Sequence, residues 1–137
     1  MKCCKTHTEE TNSEMSLFNG LNRMAETIHN NAKEKGFYDK IETDDQYLAR
    51  ALMNLHSEIS ELWESHRKGE ITNLCNKAKK MEELGLKPLV NLEEELADIV
   101  IRVLDTSERM GVNIEEAVTI KHEINKIRPY RHGNKKA

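Results

Sequence analysis

Two eight-residue stretches of this chain follow the same acidic template. Residues 55–62 read L-H-S-E-I-S-E-L, and residues 92–99 read L-E-E-E-L-A-D-I, 37 positions further along. Each has a leucine, two free positions, a glutamate, an aliphatic residue, a free position, an acid and a final aliphatic residue. The acids that they supply at the matching positions are Glu58, Glu61, Glu95 and Asp98.

A helix would place the two acids of each stretch about one turn apart, on the same flank of its apolar stripe. If the two stripes pack together, the flanks converge and four carboxylates face one small volume. Such carboxylates repel one another unless a cation lies among them. Oxygen ligands without His or Cys select hard divalent ions, so the sequence predicts Mg²⁺, with Mn²⁺ as a substitute. The competing interpretation is that each acid pair is an ordinary solvated helix face.

A basic surface complements the acids near the end of the chain. Lys121, Asn125 and Arg128 are spaced i, i+4, i+7, which puts them on one face of a helix, and Arg131 and Lys135 follow. Cations and an amide suit phosphate oxygens, and Mg²⁺ commonly shares its coordination shell with phosphate. The sequence therefore indicates a phosphorylated substrate. The alternative is that these cations complement the helix dipole and solubilise the tail.

Four further residues are candidates for supporting roles. If a water bound to the metal ion acts as the nucleophile, Glu61 or Glu64 is the candidate for the general base that takes its proton. Glu26 is a candidate for a further acid beside the four carboxylates. Arg102 lies on the flank of Asp98, where it can pair with that acid or contact phosphate. Trp63 can stack on a nucleobase, although its place at the edge of the apolar stripe also fits a core residue.

The elements that must position these residues are helical. Apolar periodicity and capping residues predict helices over 13–35, from 44 or 45 to about 68, over 91–110, and from 114 to 127. Glycines follow the first three, and Pro129 follows the fourth. Strand signals are absent. We predict an all-α, four-helix, bundle-like fold, with residues 1–12 as a lead-in, 13–128 as the domain and 129–137 as a basic tail. Residues 70–91, with one possible short helix, resemble an insertion.

Composition bounds the class of protein. The 137 residues allow one domain, and 37% hydrophobic with 33% charged residues favours helices with one apolar stripe each, completed by a partner subunit. A net charge of −3 gives no general case for binding a nucleic-acid polymer. Three cysteines do not form a disulfide framework, and no apolar run or signal-peptide core indicates a membrane or export. We expect a cytoplasmic protein.

Three segments together resemble the MazG-like, all-α nucleoside triphosphate pyrophosphohydrolases. They are S-E-I-S-E-L-W-E, E-E-E-L-A-D-I-V and K-H-E-I-N-K-I-R-P-Y-R-H-G. The E-x-x-E and E-x-x-D signature of that family falls on the four acids of the two stretches, and its late Lys, Asn and Arg fall on Lys121, Asn125 and Arg128. The resemblance covers roughly residues 17–135. One departure is the gap of 33 residues between Glu61 and Glu95, which is longer than usual for the family.

The resemblance implies Mg²⁺-dependent hydrolysis of an NTP or dNTP to the monophosphate and pyrophosphate, with a role in cleansing or regulating the nucleotide pool. It also implies a homodimer or a dimer of dimers. Two relatives in activity stay open, namely a phosphoribosyl-ATP pyrophosphatase and a hydrolase of modified nucleotides.

Two other classes compete with this interpretation. A non-enzymatic helical interaction module would use the acids only as a polar face. A four-helix di-iron protein would need two Glu-x-x-His motifs, whereas the chain has one, from Glu26 to His29.

Overall fold

The computed structural model describes residues 19–130, and this part of the chain is all-helical. It contains helices α1 (Leu21–Glu34), α2 (Asp44–Arg67), α3 (Ala78–Glu83), α4 (Asn91–Arg109) and α5 (Ile114–Lys126). The only strand-like pairing among these residues is an isolated antiparallel bridge between Leu74 and Val90. The all-α prediction is confirmed, and α1, α2, α4 and α5 correspond to the four predicted main helices.

Local sequence explains where the two acid-bearing helices begin. The Thr43 hydroxyl accepts from the backbone N–H of Gln46, while the Gln46 side chain accepts from the Thr43 N–H, so two otherwise unsatisfied donors are capped at the start of α2. At the start of α4, the Glu93 carboxylate accepts from the Val90 N–H at 3.0 Å. These contacts fix the residues at which α2 and α4 begin.

A turn precedes helix α1, which begins at Leu21. Asn19 and Gly20 form a turn, and Gly20 has a φ of +100°, a conformation that glycine adopts without steric cost. The Gly20 N–H donates to the Glu115 carboxylate at 2.6 Å, and the Asn22 N–H donates to the same oxygen at 3.1 Å. The prediction of an unbroken helix from Ser13 is therefore wrong at residues 19–20, because a contact from α5 holds this turn.

Helix α4 is the centre of the packing. It lies against both α1 and α2, and α5 contacts α1. The buried apolar side chains of the described residues are few, namely Ala25, Tyr47, Ala51, Cys75, Ala78 and Leu104. The apolar periodicity predicts a core-facing stripe on α2 made of Leu48, Ala51, Leu52, Leu55, Ile59 and Leu62. Of these, Leu52 and Ile59 are exposed. No described helix combines the length and the apolar character that a bilayer crossing requires.

The segment over residues 70–91 is tied back onto the start of α4. The Cys75 N–H donates to the Leu89 carbonyl, and the N–H groups of Asn91 and Leu92 donate to the carbonyls of Asn73 and Ile71. The short helix predicted here is present as α3. These bonds close the segment into a compact loop whose start and end lie side by side next to the N-terminus of α4.

Candidate metal centre

Three of the four acids that the sequence singles out come together in the structure. Carboxylate oxygens of Glu58, from α2, and of Glu95 and Asp98, from α4, all lie within 4.8 Å of one another. Glu58 is buried, and the other two are partly exposed. We refer to these three residues as the acidic cluster. Its donors are all oxygens, which suit a hard divalent ion better than a soft one.

The fourth acid lies at the edge of the acidic cluster. The Glu61 side chain is exposed, and its Oε1 accepts from the Ser57 hydroxyl at 3.4 Å. It is not within the 4.8 Å group, but its charge helps to raise the pKa of Glu95. Glu64 points elsewhere: it pairs within its own helix with Arg67 at 3.4 Å and Lys68 at 3.5 Å.

Arg102 pairs with an acid of the opposite helix. Its Nε donates to Glu58 Oε1 at 2.9 Å, and its NH2 group lies 2.8 Å from the same oxygen. The Glu58 side chain is only 10% exposed, so this guanidinium compensates a carboxylate that has lost most of its hydration. Arg102 therefore links α4 to α2 at the cluster and leaves the other oxygen of Glu58 for a further contact.

A lysine from the 70–91 segment reaches the other side of the acidic cluster. Lys77 Nζ lies 2.5 Å from Glu94 Oε1 and 3.9 Å from Asp98 Oδ2. Glu94 is buried, one turn before Asp98 on α4. The close contact with the Glu94 carboxylate raises the pKa of Lys77, so the ammonium group keeps its charge.

Crowding of negative charge shows in the ionisation of the two α4 acids. Burial, followed by the charges of Glu61 and Glu94, raises the pKa of Glu95. Glu95 Oε2 is also buried without a hydrogen-bond partner. Burial raises the pKa of Asp98 as well, although the nearby Lys77 opposes this shift. Both shifts are those expected where carboxylates share a site whose positive charge is incomplete.

The basic residues of the sequence prediction lie apart from the acids in the contacts seen here. Lys121 and Asn125 are exposed on α5. Arg128 is exposed as well, but α5 ends at Lys126, so the prediction that Arg128 belongs to that helix is wrong. No ion pair found among residues 19–130 joins these three residues to the acidic cluster. Arg131 and Lys135 lie outside the described residues.

A cavity of about 250 Å³ opens beside the acidic cluster. Glu58 and Asp98 line one part of it. Aromatic, amide, charged and aliphatic side chains line the rest, among them Phe37, Tyr38, Tyr47, Asn54, Arg50 and Ile101. Trp63 is not among the lining residues; it is 60% exposed and lies against His66. The interpretation of Trp63 as a core residue is therefore wrong for this chain.

Hydrogen bonds hold the wall of this cavity in place. The Tyr38 hydroxyl donates to Asp105 Oδ2 at 2.7 Å and lies 3.1 Å from the Tyr47 hydroxyl. His29 Nδ1 lies 2.8 Å from Asp105 Oδ1. Burial and these bonds raise the pKa of Tyr38 strongly, so its hydroxyl stays protonated. Residues of α1, α2 and α4 line the cavity together with Phe37 and Tyr38 of the connection between α1 and α2.

Sequence reasoning missed Lys77, Glu94 and the tyrosines of the cavity. The only available signal for Glu94 was its spacing of i, i+4 from Asp98, which puts both acids on one face. Lys77 gave no signal, since it lies in the aperiodic segment. Searches of protein families, curated proteins and solved structures found no match to this chain.

Proposed function

We propose that this protein is a Mg²⁺-dependent nucleoside triphosphate pyrophosphohydrolase of the MazG-like kind, which cleaves an NTP or dNTP to the monophosphate and pyrophosphate. The observation that carries the proposal is that Glu58, Glu95 and Asp98 converge from two helices beside a cavity. The repeated acidic template and the resemblance of the three segments to the MazG-like family support the same function.

The acidic cluster suits one hard divalent ion. Oxygen ligands about 2.1 Å from Mg²⁺ lie at most about 4.2 Å apart. The three carboxylate oxygens lie within 4.8 Å of one another, so small rotations of the side chains would bring them to that spacing. The unpartnered Glu95 Oε2 and the raised pKa values of Glu95 and Asp98 indicate negative charge that a cation would stabilise.

The protein's own groups divide the remaining tasks. A bound Mg²⁺ supplies charge neutralisation at phosphate and lowers the pKa of water. Glu61 is better placed than Glu64 to take the proton of the attacking water, because Glu64 is engaged by Arg67 and Lys68. Arg102, beside Glu58, can contact a phosphate oxygen with the donors that Glu58 does not use.

The cavity provides room for the nucleoside. Its 250 Å³ is less than the volume of a pocket for a whole drug-sized ligand, but it suits one ring system with its sugar partly outside. Tyr38, Tyr47 and Phe37 offer aromatic surface, and Asn54 offers an amide that can donate and accept hydrogen bonds. Because Glu58 and Asp98 line the same cavity, the triphosphate would extend toward the acidic cluster.

The proposed active form is a homodimer or a dimer of dimers. An apolar groove of about 350 Å³ lies between α2 and α4, and Ile120 and Ile124 are exposed on α5. The exposed apolar residues that a second copy would cover include Leu52, Ile59, Val100, Ile120, Ile124 and Ile127. Association would also allow Lys121, Asn125, Arg128, Arg131 and Lys135 of one copy to reach a triphosphate held by the other.

Sedimentation analysis tests this assembly. We expect the wild type to sediment as a dimer or tetramer at micromolar concentration, and Leu52→Glu to dissociate it because a charge would enter the apolar groove. Ser60→Glu, at an exposed position of the same helix, is the matched control. A monomeric wild type would contradict the assembly without bearing on the acidic cluster.

A non-enzymatic interaction module is the second candidate. The observation in its favour is that Arg102 and Lys77 already supply positive charge to the acids. On this reading the acidic cluster is an ion-pair network that joins α2, α4 and the 70–91 segment. It predicts a folded protein whose stability does not respond to Mg²⁺.

Pyrophosphate release decides between these candidates. The substrates would be a panel of canonical and modified NTPs and dNTPs, with phosphoribosyl-ATP, in Mg²⁺, in Mn²⁺ and in EDTA. We expect metal-dependent release that Asp98→Ala and Glu58→Gln abolish while the helical circular dichroism spectrum survives. Glu26→Gln is the matched control, because Glu26 is exposed on α1 and is not among the three residues that the structure brings together in the acidic cluster. Release that persists in both cluster variants would remove these residues from the site.

A further inference from the structure

Lys77 has an unusual position for a lysine on a connecting segment. Its ammonium group lies 2.5 Å from Glu94 and 3.9 Å from Asp98, so it lies among the acids of α4. The second of these contacts is with a member of the acidic cluster itself. A cation of this chain thus lies next to a carboxylate that the proposed metal ion would bind.

The backbone under Lys77 is fixed. Cys75 and Ala78, on either side of it, are buried, and the Cys75 N–H donates to the Leu89 carbonyl. The Leu74–Val90 bridge adds a second tie between the segment and the residues that precede α4. The segment therefore holds the base of the lysine side chain next to α4.

The two partners of this ion pair differ in their freedom. The Glu94 side chain is only 10% exposed, whereas that of Lys77 is 61% exposed. Lys77 can therefore swing its ammonium group into solvent without opening the core, and Glu94 cannot follow it. Arg102 is different, because two of its nitrogens contact Glu58 and its backbone belongs to α4.

We propose that Lys77 is the resident cation of the acidic cluster in the metal-free protein and that a divalent ion displaces its ammonium group from Asp98 on binding. This inference rests on the proposed function, because it requires that the cluster bind a divalent ion. It gives residues 70–91 a role: the segment stabilises the metal-free cluster and lowers its affinity for the ion. Partial occupancy of the site at limiting metal is the consequence.

Metal-dependent thermal unfolding of three variants tests the role of Lys77. Lys77→Ala removes the cation, Lys77→Arg keeps it, and Lys79→Ala removes an exposed charge two positions away as the matched control. Unfolding would be followed by circular dichroism in EDTA and across a series of MgCl₂ concentrations at constant ionic strength. The Mg²⁺ concentration at half of the maximal stabilisation is the quantity to compare.

We expect Lys77→Ala to unfold at a lower temperature than the wild type in EDTA and to need about tenfold less Mg²⁺, because a competing charge close to the ion is gone. Lys77→Arg should stay close to the wild type in both respects, and so should Lys79→Ala. If Lys77→Ala failed to fold in EDTA, Lys77→Gln would replace it in the comparison.

The outcomes separate this inference from the proposed function. Equal Mg²⁺ requirements in the wild type and Lys77→Ala would overturn the role of Lys77 and leave the metal site intact. A tenfold change shared by Lys79→Ala would also overturn it, because a general loss of charge would then explain the effect. No response to Mg²⁺ in any variant would overturn the displacement together with the metal site.

Discussion

Neutralising Glu95 should stabilise the metal-free protein, which is opposite to the usual effect of altering a partly buried residue. Burial raises the pKa of Glu95, and the charges of the surrounding acids raise it further. These acids are Glu61, Glu94, Glu58 and Asp98. One of its oxygens is buried without a hydrogen-bond partner. Glu95→Gln keeps the shape of the side chain and removes this repulsion.

The size of the effect follows from the spacing of the cluster. Two unit charges 4.8 Å apart interact by about 0.9 kcal/mol at the dielectric constant of water and by about 3.5 kcal/mol at an effective value near 20. Glu95 is partly exposed, and Arg102 and Lys77 already offset some of the negative charge, so the lower value applies. We expect a gain of about 1 kcal/mol in the free energy of unfolding, or about 4 °C in Tm for a domain of this size.

Thermal unfolding in EDTA and in Mg²⁺ measures this prediction. In EDTA, Glu95→Gln should unfold at a higher temperature than the wild type, and the exposed control Glu26→Gln should not change. In Mg²⁺ the order should reverse or the difference should vanish, because the variant has lost a ligand of the ion. A Glu95→Gln protein that is less stable than the wild type in EDTA would refute the electrostatic reasoning.

Substitutions at three further positions test other contacts of the fold. Arg102→Met should destabilise the protein by about 2 to 4 kcal/mol in urea unfolding, because Glu58 would be left buried without a cation, and Arg102→Lys should recover part of the loss. Tyr38→Phe should cost about 1 to 2 kcal/mol in the same assay, because it removes a hydrogen bond to a carboxylate of α4. The hydrogen bond from Arg50 lowers the pKa of Glu42 below its ordinary value of 4.5, so the pair stabilises the protein above that pH and the contribution is lost as the pH falls through the lowered value. Wild type and Glu42→Gln should therefore differ in stability at neutral pH and converge in acid; a constant difference would contradict this assignment.

The sequence predicted the acid-bearing helices because their signals are local. Apolar periodicity and the start of α2 at Asp44 depend on residues within a few positions of each other, and so does the cap at Asn113 of α5. The cap that the structure shows at Thr43 was not predicted. The glycine stops at Gly36, Gly69 and Gly111 were read correctly for the same reason: each has a positive φ in the structure. Once the two helices were predicted, helical geometry placed the two acids of each on one flank of its apolar stripe.

What the sequence could not show depends on distant contacts. The break at Gly20 is held by Glu115, 95 positions away, and the contact of Lys77 with Glu94 depends on how the 70–91 segment folds back. Periodicity also identifies an apolar stripe without saying what covers it. Leu52 and Ile59 belong to the predicted stripe of α2 and are nevertheless exposed in the single chain.

Binding of Mn²⁺, followed by electron paramagnetic resonance, tests the central claim most directly, because it reports the metal site without requiring that the substrate be known. The proposal is that α2 and α4 each contribute part of one site through Glu58 and Asp98. Glu58→Gln and Asp98→Asn should therefore each weaken Mn²⁺ binding strongly, whereas Glu26→Gln should bind like the wild type. Binding that is unchanged in either cluster variant, or absent from the folded wild type, would contradict a metal site shared between the two helices.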